Sequence, residues 1–112
     1  MNRVEFNYNQ LFAGEAQHIT RLNVSAGEYK RGTLLASADG VTYATASEIA
    51  VGKFYAICAE EKTAEGAEVV VAYMTGYFNK RVVTEATGIE ITNDNAEILK
   101  TQRIFLENTI EL

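Results

Sequence analysis

At 112 residues and 12.3 kDa the chain has room for one hydrophobic core and therefore one domain. Its net charge of −5 argues against nucleic-acid binding, which calls for a dense basic stripe, and no run approaches the roughly 20 apolar residues of a membrane-spanning helix. A single cysteine, Cys58, excludes an intramolecular disulfide, so packing alone must hold the fold.

The charge is unevenly spread. Residues 1–31 carry Arg3, Arg21, Lys30 and Arg31 against Glu5, Glu15 and Glu28, while the remainder carries six basic residues against twelve acidic ones. A near-neutral front and an acidic body suit a chain whose front touches something and whose body faces water. The N-terminus lacks the basic-then-apolar order of a secretion signal, so the chain is expected to be made in the cytoplasm and to leave it, if at all, by another route.

Taken in chain order, residues 1–17 read as an N-terminal arm or edge strand, with weak alternation from Val4 through Phe6 to Tyr8 and then Leu11 and Phe12. Residues 18–112 read as a single β-rich domain. His18 to Val24 alternates well, setting Ile19, Arg21 and Asn23 against Thr20, Leu22 and Val24. Tyr29 to Ala36 predicts a strand entered at Gly32, and Asp39-Gly40 predicts a two-residue hairpin turn with Val41-Thr42-Tyr43 returning. Ala46 to Val51 is one helical turn or a loop. Lys53 to Ala59 is a strand, and Glu60 to Glu68 is a solvated turn around Gly66. Val69 to Phe78, the most apolar stretch, predicts a central strand bending at Gly76. Arg81 to Thr84 and Ile89 to Thr92 read as short strands parted by Gly88. Asn95 to Gln102 reads as a helix capped by Asn93 or Asn95, and Ile104-Phe105-Leu106 as the closing strand. The pattern predicts a mainly β domain, a small compact barrel or sandwich with one short helix near the C-terminus.

Residues that carry chemistry are sparse. His18 is the single histidine, and no motif marks Ser25, Ser37, Ser47 or Cys58 as its nucleophile, so it reads as a structural histidine. Cys58 lies in the apolar run Tyr55-Ala56-Ile57-Cys58-Ala59 and is followed by Glu60 and Glu61, the opposite of the electropositive site a reactive thiol needs. Glu60, Glu61, Glu65 and Glu68 lack calcium-loop spacing, and Thr92-Asn93-Asp94-Asn95 is better explained as a helix cap. Neither glycine-rich phosphate motif occurs. The residues thus point to no catalytic group, metal or cofactor, and leave binding or assembly as the work of the chain.

Three stretches carry a resemblance. They are Lys30-Arg31-Gly32-Thr33-Leu34-Leu35 followed by Asp39-Gly40, then Phe54 to Glu61 with Ala67 to Gly76, and finally Glu97-Ile98-Leu99-Lys100 leading into Arg103-Ile104-Phe105-Leu106. Over residues 30–108 their order resembles the head-decoration proteins of tailed phages, the lambda head-decoration-like family. The chain departs from the lambda type in having no Trp and an N-terminal segment that is not rich in Pro and Ala. The resemblance implies a compact β fold and a non-enzymatic structural role on the outer capsid surface of the virion. It further implies a homotrimer seated at three-fold-type sites of the expanded head, with the major capsid protein as partner. On that analogy Val4, Phe6, Tyr8, Leu11 and Phe12 are the capsid-contact residues, and no nucleic acid or membrane is involved. The alternative is a small β-barrel module that binds a sugar or peptide on a phage or bacterial assembly.

Overall fold

The structure, a computed structural model, describes residues 12–107, and the side chains from Ile19 onward. Alternation between two hydrophobic faces shapes it. Strands β1 (Phe12–Val24), β3 (Leu34–Ser37), β4 (Thr42–Thr45), β5 (Phe54–Cys58) and β7 (Glu68–Asn79) form a sheet in the order β1-β4-β3-β5-β7. Pairing of β1 with β7 closes it into a five-stranded barrel. One pairing in the ring, β1 with β4, is parallel, and the rest are antiparallel. Two short strands, β2 (Gly27–Tyr29) and β6 (Lys62–Ala64), make a separate ribbon. A last strand, β8 (Ile104–Glu107), lies parallel to the end of β7.

Successive side chains of a strand point to opposite faces, and here both faces are apolar. Leu35, Ala56, Cys58, Val70 and Ala72 belong to one cluster, inside the barrel, together with Val24 and Tyr43. Tyr29 and Ala64 of the ribbon join it. Their sequence neighbours Leu34, Tyr55 and Ile57 belong to a second cluster on the outer wall, covered by the helices through Val83 and Leu99. The run Phe54–Cys58 lacks strand alternation for this reason, with four of its five residues buried.

Two helices supply the cover: α1 (Lys80–Thr87) and α2 (Asn93–Lys100). The first corrects a sequence expectation, since Arg81 to Thr84 is helical and not a strand. The Asn79 side chain accepts the Arg81 N–H at 3.1 Å, and Gly88, at φ 84°, donates its N–H to the Thr84 carbonyl. A cap and a left-handed stop thus outweigh the β preference of Val82-Val83-Thr84. Ile89 to Thr92 is likewise no strand but the connection into α2, with Ile91 buried in the outer cluster. Among the described residues there are therefore two helices where one was expected. α2 starts two residues earlier than predicted, because Thr92 caps it by accepting the Asn95 N–H at 3.2 Å.

Turn chemistry differs in one detail. The β3–β4 hairpin forms, but only Gly40 takes a positive φ, 77°, among the residues of its turn. Asp39 instead accepts the N–H groups of Val41 and Thr42 through its carboxylate, at 2.8 and 3.2 Å. The predicted bend at Gly76 is present, with φ 147°. It also shifts the faces of β7. Tyr73 and Phe78 both pack on the outer cluster although five positions separate them, which strict alternation forbids. The turn expected over Glu60 to Glu68 contains β6.

Candidate functional site

Beyond Gly76 the sheet runs past the barrel as a three-stranded strip. β7 is its middle, β1 its antiparallel neighbour and β8 its parallel one. Phe12 pairs with Phe78, and Glu107 with Asn79. The described part of β1 therefore begins level with the end of β8, and Phe12 and Glu107 lie at the same end of the strip, on either side of β7. One face of the strip is sealed: Phe78, Ile104 and Leu106 lie in the outer cluster under the helices. On the other face Tyr77 and Phe105 stack, ring centroids 4.6 Å apart and planes 16° from parallel. Tyr77 remains 38% exposed, an aromatic surface of the kind interfaces use.

Of the expected contact residues, Val4, Phe6, Tyr8 and Leu11 lie outside the described residues. Phe12 is the first residue of β1, level with Phe78. Sequence reading missed Tyr77 and Phe105. A signal for Tyr77 existed, since a residue just after a bending glycine leaves its strand's alternation, but nothing in Ile104-Phe105-Leu106 says which residue turns outward.

The other candidates are explained by packing. Cys58 is fully buried and its thiol donates to the Glu60 carbonyl at 3.1 Å. Burial pushes its pKa up, which keeps it protonated. His18 lies on β1 opposite Thr75, at an irregular step of the ladder. The acidic turn is knitted to the fold. Glu60 accepts the Val71 N–H at 2.7 Å and Glu68 accepts the Glu65 N–H at 3.1 Å. That N–H, then Lys62 at 3.4 Å, lowers the Glu68 pKa. No group of metal-ligating side chains occurs among the described residues. Nor is any helix among them long and apolar enough to cross a membrane. Ser37 is buried in the hairpin turn, donating to Asp39 at 2.8 Å and accepting the Gly40 N–H at 2.9 Å.

Elsewhere the surface is apolar in two places. Ile19 and Val69 are exposed on the β1–β7 wall. At the loop end, Val41, Val51 and Phe54 are exposed, and a shallow notch of about 210 Å³ separates Val51 and Gly52 from Ile98 and Thr101 of the α2 end. No family model, no curated protein and no solved structure matches this chain.

Proposed function

We propose that the chain is a structural cementing protein of a tailed-phage head. It binds the outer surface of the expanded shell at three-fold-type sites, as a homotrimer on the major capsid protein, and stabilises the shell against internal DNA pressure. It is made in the host cytoplasm, ends on the virion surface, and performs no catalysis. The observation that carries this reading is the placement of Phe12 and Glu107 at one end of the strip, beside the Tyr77–Phe105 stack. A docking end of this kind lets the N-terminal segment, with Val4, Phe6, Tyr8 and Leu11, meet a surface together with the strip, and Phe12 carries that segment into β1. Extended segments with alternating apolar residues add readily to exposed sheet edges.

The mechanism is state selection. A shell under pressure opens most easily where three subunits meet. A ligand that binds only the expanded lattice stabilises that lattice by its differential affinity. Repetition over many sites multiplies a modest energy per site.

Co-sedimentation of the pure protein with mature and immature capsids is the test. Binding to mature heads alone is expected; equal binding to both, or to neither, removes the clamp. The exposed stack of Tyr77 on Phe105 favours one second reading, a module that binds a sugar or peptide. Saturable quenching of tyrosine fluorescence by such a ligand, in the absence of any capsid, would support that reading instead.

A further inference from the structure

We propose that Asp39-Gly40 is a site of spontaneous modification, the link at which the unfolded chain converts to isoaspartate, and that the folded hairpin holds this conversion back. Aspartate reacts fastest in this way when glycine follows it, because no side chain then hinders the attacking amide. Of the Asp and Asn residues in the sequence, Asp39 alone has that neighbour. In the reaction the Gly40 nitrogen attacks the carboxyl carbon Cγ of Asp39. A C–N bond forms, the Gly40 proton and the carboxyl hydroxyl leave as water, and a succinimide ring results. Water then opens the ring at either carbonyl, restoring aspartate or leaving isoaspartate, with no oxidant and no net change in mass. The product carries the Asp39 side-chain methylene in its main chain.

The turn opposes the first step at both reacting atoms. The Gly40 N–H is already donated to Ser37 Oγ, at 2.9 Å. The Asp39 carboxylate is tethered through Oδ1, which accepts the Ser37 hydroxyl at 2.8 Å and the N–H groups of Val41 and Thr42 at 2.8 and 3.2 Å. The same bonds favour its ionised form, which has no hydroxyl to lose. Glycine itself is required here. The Phe54 ring lies against Gly40, so that an added Cβ would stand 3.3 Å from it, and φ is 77°. The turn therefore cannot take a slower-reacting neighbour for Asp39 without strain, and its hydrogen bonds guard the link instead. What they guard is the closure of the barrel. Thr42 and Tyr43, just past the turn, pair with Asn23 and Val24 of β1, and Tyr43 is buried in the inner cluster. A methylene added to the main chain at residue 39 takes the carboxylate off the Val41 and Thr42 N–H groups and shifts the entry into β4.

Incubation of the full chain near neutral pH, folded and in guanidinium, tests the lock. Isoaspartate is read by mass spectrometry as loss of endoproteinase Asp-N cleavage before residue 39. The denatured chain is expected to convert about tenfold faster or more, since the folded protein reacts only through local opening of the turn. Ser37→Ala, which frees the Gly40 N–H, is expected to raise the folded rate about fivefold, the equivalent of one lost hydrogen bond. Asp39→Asn separates geometry from ionisation, because its amide leaves as ammonia in the same attack. Folded, this variant is expected to lose ammonia about tenfold more slowly than denatured, or slower still. Equal rates for folded and denatured wild type overturn the proposal, as does an Asp39→Asn that loses ammonia equally fast in both states. A folded Ser37→Ala that converts no faster than wild type overturns it too. Slower conversion in that variant would mark the Ser37 hydroxyl as a relay that passes the Gly40 proton to the carboxylate.

Discussion

Gln102 is a side chain that takes the place of a strand. Its Oε1 accepts the Tyr55 N–H at 2.9 Å and its Nε2 donates to the Lys53 carbonyl at 2.5 Å. β7 pairs with β5 only at Ile57 and Cys58, so among the described residues the start of β5 has no strand on that side and the amide fills the place. Gln102→Glu keeps the acceptor and loses the donor. It should cost about 1–2 kcal/mol in urea unfolding, the range for a partly buried polar group left unpaired. Asp39 holds the hairpin turn in a different way. The N–H of Val41, then the Ser37 hydroxyl and the N–H of Thr42, pull its pKa below 3.8. A carboxylate depressed by folding adds stability above its unfolded pKa and loses it as pH falls through the folded one. Asp39→Asn should therefore lower the melting midpoint near neutrality and flatten its fall below about pH 4. Glu68 is depressed in the same direction, so part of the acid dependence should survive in the variant.

At the scale of elements, α1 is where local sequence misleads most. Val82-Val83-Thr84 is β-branched throughout, and the residues around Gly88 look like a turn between strands. Asn79 and Gly88 decide otherwise, because a cap and a left-handed stop enclosing eight residues define a helix that buries Val83 and Thr87 on one side. Gly88→Ala, forced to φ 84°, should cost about 1 kcal/mol, and Asn79→Ala about the same, both read from chemical denaturation. A larger loss in far-UV helical signal than in stability would show that the caps hold α1 more than they hold the domain. The faces of β7 shift for a reason legible only in part. Gly76 announces a bend in the sequence, but which residue then faces the helices depends on the Arg103 carbonyl, which accepts the Gly76 N–H at 3.0 Å.

For the whole molecule, β1 marks how much of the N-terminus the domain needs. It pairs with β7 from Phe12 onward and closes the barrel through Asn23 and Val24. Removal of residues 1–11 should leave cooperative unfolding intact while abolishing co-sedimentation with mature capsids. Binding by the truncated protein at the strength of the full chain would take the N-terminal segment out of the mechanism. Truncation into β1 should instead destabilise the barrel, because the strand lines its interior through Leu22 and Val24.

The mainly β class was readable in the residues, since alternation at His18 to Val24, the Asp39-Gly40 turn and the apolar run to Gly76 are all local signals. Burial of Cys58 was readable too, from its apolar neighbours. Ring closure, the helix at Lys80 and the outward turn of Tyr77 and Phe105 were not. Each depends on which distant segment lies against a strand, and period-two alternation is silent on this when both faces of the strand are apolar. Leu34 and Leu35, adjacent and both buried, serve two different cores only because helices cover the outside of the barrel. Long-range packing made that choice.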